Sequence, residues 1–320
     1  MEMAIQLLFL VLGFVMLVKG ADLFVDGASG VATKFGIPQI VIGLTIVAMG
    51  TSAPEAAVSI TAAFAGNADI TIGNIVGSNI LNILIILGIS ALVYPLAIQK
   101  STLIIDIPVV LLATVILFLL GFDSKISRID GIIMLVVFAA YLFYLFTVAK
   151  KEASQKKLSE TTEHIQSEEN VTKEISLLKA LIFTVIGLVL IVGGSKFVVD
   201  SATAIAKALG LSQRFIGLTI VALGTSLPEL FTSVTAALKK NSDIAIGNIV
   251  GSNIFNILFI VGLSGLIIPV PFATDFRFDT IISGVAAILL LLFCLPKKKL
   301  PRFAGAIMLV GYALYFMKIW

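Results

Sequence analysis

The chain carries the same pair of polar motifs twice, each time within long apolar segments. GTSAPE occupies Gly50–Glu55, and GTSLPE follows 174 residues later at Gly224–Glu229. At the same offset, GNIVGSNILN at Gly73–Asn82 returns as GNIVGSNIFN at Gly247–Asn256. Around these motifs, residues 39–90 and 213–264 align without a gap and are identical at 35 of 52 positions. We therefore expect the two halves to share one helix pattern and to contribute equivalent residues to one site.

The composition is that of a membrane protein. Hydrophobic residues make up 59% and charged residues 13% of the 320 residues, whereas soluble domains average about 45–50% apolar residues. Stretches of about 20 apolar residues, each long enough for a hydrocarbon core about 30 Å thick, follow one another. We predict an all-α polytopic membrane protein whose first helix is retained. Its ten transmembrane helices are expected at 4–32, 39–65, 69–93, 102–121, 128–149, 178–208, 213–239, 243–268, 279–295 and 301–319.

The order of these segments predicts two inverted repeats. Residues 150–177 are polar and form a predicted cytoplasmic linker between a first five-helix repeat (1–149) and a second (178–320). Because five is odd, the two repeats must cross the membrane in opposite directions. With both termini outside, fourteen Lys and Arg residues face the cytoplasm and six face outward, as the positive-inside rule requires. Inverted repeats place a binding site near the midplane and are typical of secondary transporters; a single-chain channel is the alternative.

The proline in each GTSxPE motif predicts an interrupted helix. Pro54 and Pro228 lack the N–H that would bond the carbonyl four residues earlier. Free carbonyls at membrane depth persist only where they are buried in protein or line a water-filled cavity, so we expect them to face cations. Helical spacing places polar side chains and these carbonyls on one face. The candidate ligands from these segments are Ala48, Thr51, Ser52 and Glu55, and Ala222, Thr225, Ser226 and Glu229.

The GNIVGSN motifs supply further oxygen atoms. Asn74, Ser78 and Asn82 recur every four residues and form one helical stripe. The second half repeats this stripe with Asn248, Ser252 and Asn256. The glycines alone would also suit close helix packing. Carboxylate, hydroxyl, amide and carbonyl oxygens without sulfur or imidazole favour hard cations, so calcium and alkali ions are the expected substrates.

The two glutamates are the strongest functional candidates. A charge at the bilayer centre costs at least about 2.5–3.5 kcal/mol on insertion scales, and Glu55 and Glu229 each place one within an apolar segment. We expect the remaining intramembrane charges of helices 1 and 6 to have a structural or interfacial role; they are Lys19, Asp22, Asp26, Lys196 and Asp200. The small net charge of +3 does not indicate nucleic acid, and the single cysteine excludes an internal disulfide.

The paired GTSAPE/GTSLPE and GNIVGSNI motifs resemble the α-repeats of the sodium/calcium exchanger family, and the likeness spans nearly the whole chain. The resemblance implies a calcium site formed by Glu55 and Glu229 with main-chain oxygens of Thr51 and Thr225. It also implies sodium sites around this centre and a sliding gate made by helices 1 and 6. The residues implied for sodium are Ser52, Ser226, Ser78, Ser252 and the carbonyls of Ala48 and Ala222.

One position departs from some relatives. They carry Asp where this chain has Asn256, and the equivalent first-half position is Asn82. Both asparagines stay in the candidate cation site, whose negative charge then comes from two carboxylates. In similar potassium-dependent exchangers an acidic residue here is associated with potassium, so its absence argues against potassium transport.

The resulting expectation is a sodium-for-calcium antiporter that works by alternating access in a prokaryotic plasma membrane. It needs no cofactor besides the transported calcium and sodium ions, and no oligomer. The sequence contains no HExxH motif and no plausible nucleophile–base pair, so an enzyme is not expected. A calcium/proton antiporter, in which protonated glutamates replace sodium, and a passive cation channel remain the alternatives.

Overall fold

A computed structural model describes residues 2–65, 68–163, 175–209 and 222–319. These residues are mostly helical. Four of the described helices contain or begin with π-helical turns, in which the backbone hydrogen bonds lengthen to i→i+5. The helices of the first half are α1 (Glu2–Phe35), α2 (Gln39–Thr51, with π turns at Gly43–Val47), α3 (Ala53–Phe64), α4 (69–93, with π turns at Asn82–Leu87), α5 (102–120, opening with π turns at Thr102–Asp106) and α6 (Arg128–Glu163). Those of the second half are α7 (Leu177–Ala208), α8 (Ala222–Thr225), α9 (Leu227–Leu238), α10 (Ser242–Ile267, with π turns at Phe255–Val261), α11 (Asp275–Cys294) and α12 (Arg302–Ile319).

Seven of the described helices are long and apolar enough to cross a membrane, and the count becomes eight when α2 and α3 are taken as one bent span. The predicted ten is therefore not reached by this measure. Part of the difference lies in the second half, where the predicted helix 213–239 begins outside the described residues and continues as the 12-residue α9. The outer surfaces of the long helices are apolar, with Leu8, Val15 and Val189 each at least half exposed, as contact with lipid tails requires.

The predicted interruption near Pro54 is confirmed. α2 stops at Thr51, Ser52 takes φ −79° and ψ 8°, and α3 starts at Ala53 with an axis bent by 51°. Proline is accepted at the start of α3 because the first turn of a helix needs no intrahelical N–H donor. The second half has the same break at Ser226, between α8 and α9. Each half thus presents a helix C-terminus and a helix N-terminus at one point.

Two short β ladders, which the all-α prediction did not include, join the halves. β1 (Leu96–Ala97) pairs antiparallel with β4 (Lys299–Leu300), and β2 (Lys125–Ile126) pairs with β3 (Val270–Pro271). Strands of two residues are too short to give a periodic sequence signal. Adding 174 to the β1 numbers gives β3, and adding it to β2 gives β4, so exchanging the halves converts one ladder into the other.

α1 and α7 pack along each other beside the remaining helices. Small residues permit their close contact: a Cβ atom on Gly20 would lie 2.9 Å from the Gly187 carbonyl oxygen, and one on Gly187 would lie 2.5 Å from the Phe24 nitrogen. Such small-residue contacts are typical of helix pairs in membranes.

α6 extends to Glu163, beyond the predicted helix end at 149. The first part of the predicted linker 150–177 is therefore helical. Its segment 164–174 lies outside the described residues.

Candidate functional site

The two helix breaks bring Glu55 and Glu229 into the interior. Their exposed fractions are 1% and 0%, and both lie in the first turn of a helix, α3 or α9. Two buried carboxylates that are both ionised would repel each other. Buried charges are normally paired or bound to metal ions, so this arrangement calls for a cation.

Each glutamate is held by a serine from the opposite half. The Ser52 hydroxyl donates to Glu229 Oε1 at 2.7 Å, and Ser226 Oγ lies 3.3 Å from Glu55 Oε1. Both serines sit at the helix breaks, where neither side chain caps its own helix. The crosswise pairing makes the two motifs parts of one site.

The polar stripes of α4 and α10 support the glutamate backbones. Asn248 Nδ2 donates to Ser233 Oγ at 2.9 Å and approaches the Glu229 carbonyl oxygen at 3.3 Å. In the first half, Asn74 Nδ2 lies 3.0 Å from Ser59 Oγ and 3.4 Å from the Glu55 carbonyl oxygen. The same two contacts therefore fix the turn that carries each carboxylate.

Further oxygens gather where α2 meets α10. The Ala48 carbonyl oxygen lies 3.3 Å from Ser252 Oγ, which is 3.5 Å from Glu229 Oε1. Thr51 Oγ1 donates to Asn248 Oδ1 at 2.8 Å. Close approach of these helices depends on Gly251, because a Cβ atom there would meet the Leu44 carbonyl oxygen at 2.6 Å. The C-terminal end of α2, where carbonyl dipoles favour cations, is thereby packed against the site.

Four buried oxygen atoms in this region accept no hydrogen bond from any residue that the structure describes. They are Glu55 Oε2, Glu229 Oε2, Asn82 Oδ1 and Asn256 Oδ1. Such unsatisfied acceptors are uncommon in native interiors and call for an explanation. The four atoms form two pairs related by the offset of 174. Carboxylate and amide oxygens are ligands that hard cations such as calcium bind.

The structure brings most of the predicted candidates together. Ser78 Oγ lies 3.4 Å from Ser226 Oγ. Asn82 and Asn256 donate across the interface between the halves. Ala222 begins α8, and its side chain lies outside the described part of the chain.

Two asparagines were missed by the sequence reasoning. Asn79 and Asn253 accept the hydrogen bonds of the Asn256 and Asn82 amides. They are repeated at the offset of 174, which was an available signal, but they lie one residue outside the predicted stripe.

Other polar contacts outside the site were also missed. Tyr141 donates to Asp106 at 3.0 Å, and Tyr315 donates to Asp279 at the same distance. Lys239, at the end of α9, bridges Asp22 and Asp26 of α1 at 3.2 and 2.7 Å. The predicted structural role of these helix 1 charges agrees with this bridge.

Comparison with known proteins gives one consistent family. The sequence profile described as "Sodium/calcium exchanger protein" matches residues 5–147 and 179–320. The sodium/calcium exchanger MaX1 of Methanosarcina acetivorans is 34% identical, over 98% of both chains. The inner membrane protein YrbG of Escherichia coli is 35% identical, over 94% of this chain and 92% of that protein.

A solved structure shows the same fold. The sodium-calcium exchanger NCX_Mj, soaked with 10 mM Na⁺ and zero Ca²⁺, has a TM-score of 0.83 and 32% sequence identity. The match covers 98% of this chain and 99% of that one. The family resemblance of the repeated motifs is thus confirmed, and this multi-pass membrane protein is a member of the sodium/calcium exchanger family of cation/calcium antiporters.

Proposed function

We propose that the protein exchanges sodium for calcium across the membrane by alternating access at one site shared by its two halves. The observation that supports this most strongly is the buried pair Glu55 and Glu229, each held by a serine of the other half and each with one oxygen free of hydrogen bonds from the described residues.

The charge of the pair explains why exchange would be obligatory. Burying one ion costs several kcal/mol even after the protein relaxes. Removing one partner of a buried ion pair destabilises a protein by about 3–5 kcal/mol, because the other charge is left buried without compensation. An empty site with two unneutralised carboxylates is therefore strongly disfavoured in the state that is closed to both sides of the membrane. One calcium ion, or several sodium ions, neutralises the pair and permits the transition between the two access states. Unloaded return is suppressed, and movement of one ion type requires the other.

We assign to the site the ligands that the family resemblance implies. Calcium binds at Glu55 and Glu229 with the main-chain oxygens of Thr51 and Thr225. Sodium uses the surrounding neutral oxygens together with the same carboxylates. Those neutral ligands are Ser52, Ser226, Ser78, Ser252 and the carbonyls of Ala48 and Ala222. Asn82 and Asn256 offer their amide oxygens to either cation.

We further propose ten transmembrane helices in two inverted five-helix repeats, 1–149 and 178–320, joined by a cytoplasmic linker at 150–177. Support comes from the ladders, since a shift of 174 converts one into the other, as a two-fold axis in the membrane plane would require. Both termini lie outside a prokaryotic plasma membrane, and one chain suffices for transport. α1 and α7, which contact each other through glycines, slide past the other helices as the gate.

Vesicles of defined lipid test the proposal. Protein reconstituted in sodium-loaded vesicles should take up calcium on dilution into sodium-free medium, with pH and potassium clamped on both sides. Uptake should stop when the sodium gradient is removed. Uptake that follows an imposed pH gradient and ignores sodium would instead make the protein a calcium/proton antiporter. Calcium flux without any counter-ion would make it a passive channel.

A further inference from the structure

Four asparagines form a hydrogen-bonded cluster where α4 and α10 meet. Asn82 Nδ2 donates to Asn253 Oδ1 at 3.0 Å, and Asn256 Nδ2 donates to Asn79 Oδ1 at 3.0 Å. Asn79 Nδ2 donates to the Asn253 carbonyl oxygen at 3.1 Å, and Asn253 Nδ2 donates to the Asn79 carbonyl oxygen at 3.2 Å. All four side chains are at most 1% exposed. Every bond crosses from one half of the chain to the other.

The cluster fixes the orientation of the Asn82 and Asn256 amides. An asparagine amide has a donor end and an acceptor end of nearly the same shape. The donor ends of Asn82 and Asn256 are occupied by the partner asparagines, so their Oδ1 atoms are turned away from the cluster. These are the two amide oxygens that accept no hydrogen bond from the described residues. Rotating either amide by half a turn would place two oxygen atoms face to face in a buried interface.

Asn79 and Asn253 cannot easily adjust to such a rotation. Each uses its own Nδ2 group on the backbone carbonyl of the other. Reversing Asn253 to meet a rotated Asn82 would therefore leave the Asn79 carbonyl oxygen facing another acceptor. Leaving buried polar groups unsatisfied in this way is unfavourable. The four bonds therefore favour one orientation of all four amides together.

We propose that Asn79 and Asn253 are positioning residues for ion binding, which lock the amides of Asn256 and Asn82 with their oxygen atoms toward the transported cations. The proposal rests on the proposed function, since it takes Asn82 and Asn256 as cation ligands. The lock acts crosswise: Asn79 controls Asn256, and Asn253 controls Asn82. Without it, a ligand amide can present its NH₂ group, which repels a cation.

Double-mutant cycles test this crosswise coupling. Asn79→Ala and Asn256→Ala should each raise the apparent KM for calcium or sodium about tenfold, the effect of losing one modest polar interaction. The double variant should be no worse than the poorer single variant, because Asn79 acts only through Asn256. The matched control pairs Asn79→Ala with Asn82→Ala, for which the two effects should multiply. Asn253 with Asn82 should repeat the coupled result.

A role confined to helix packing gives a different result. It predicts equal coupling for both pairs, or a loss of thermal stability with unchanged KM values, and either outcome would overturn the proposal. If the alanine variants do not fold, Asn79→Ser and Asn253→Ser replace them, because a serine hydroxyl keeps a hydrogen-bond donor in the interface. The same double-mutant cycle can be measured without transport, as the rise in the melting temperature of the detergent-solubilised variants when the cation is added.

Failure of the proposed function can be told apart from failure of this inference. If the wild-type protein proves to exchange calcium for protons, the cycle is still measured on the calcium KM, and the crosswise pattern is still expected. If the wild type exchanges sodium for calcium and the cycle shows no crosswise pattern, only the positioning role is wrong.

Discussion

At the residue scale, the site depends on a hydroxyl from one half orienting a carboxylate from the other. Ser52 binds Oε1 of Glu229 at 2.7 Å, while Oε2 of the same carboxylate has no hydrogen-bond partner among the described residues. The serine therefore fixes which oxygen is offered to a cation. In water this effect would be small, but hydrogen bonds to charged groups contribute about 1.5–3 kcal/mol in proteins.

Ser52→Ala should accordingly weaken calcium binding. The loss of one charge-assisted hydrogen bond predicts a rise in the apparent KM for calcium of about tenfold or more, measured as initial uptake into vesicles. Ser90→Ala is the matched control, because Ser90 is a fully buried serine of α4 whose Oγ has no hydrogen-bond partner in the described part of the chain. Equal KM changes in both variants would show that Ser52 acts through packing alone.

At the element scale, the proposed mechanism assigns ion binding to the broken helices and movement to the α1–α7 pair. The breaks at Ser52 and Ser226 position the proposed ligands. α1 reaches the rest of the protein partly through ion pairs from Asp22 and Asp26 to Lys239 of α9. These side chains are 29–53% exposed, and such pairs typically contribute about 0–1 kcal/mol. A contact this weak can form in one access state and break in the other.

Tying α1 to α9 should therefore stop exchange. We expect a double variant, Asp26→Cys with Lys239→Cys, to lose sodium-driven calcium uptake after treatment with a short, reducible bifunctional thiol reagent, and to recover it on reduction. Each single variant, treated in the same way, should keep its own rate, since the native Cys294 is fully buried. Unchanged uptake by the cross-linked protein would show that α1 does not move relative to α9.

The elements also show where sequence reasoning succeeds and where it stops. The Pro54 break and the polar stripe of Asn74, Ser78 and Asn82 follow from local helix chemistry, so they could be predicted. The hydrogen-bond partners of Asn79 and the ion-pair partners of Lys239 could not be predicted, because these contacts join segments that are distant along the chain. The Asp–Tyr pairs also escape the repeat: adding 174 to Tyr141 gives Tyr315, but adding it to Asp106 gives residue 280, one beyond the Asp279 that Tyr315 contacts.

At the scale of the whole molecule, the two halves are interleaved. The β ladders, the serine–glutamate bonds and the asparagine cluster all connect one half with the other. Neither half carries a complete site. The number of transmembrane helices and their orientation remain predictions, supported by the basic residues and by the exchange of the ladders.

The proposed orientation places the two ladders on opposite sides of the membrane. Lys125→Cys, at the start of β2, should react with a membrane-impermeant maleimide in intact cells. Lys298→Cys, next to β4, should react only after the cells are permeabilised. Both lysines are exposed at the surface of the protein. Labelling of both positions from the same side would contradict the inverted arrangement.

The central claim is that Glu55 and Glu229 form one shared site, and calcium binding by the purified protein tests it most directly. Equilibrium binding should give one calcium ion per chain, displaced by sodium. Glu55→Gln and Glu229→Gln should each abolish that binding while the protein stays folded, and Asp279→Asn, which changes a carboxylate bonded to Tyr315, should leave it intact. Two calcium ions per chain, with one lost in each glutamate variant, would show two separate sites and contradict the claim.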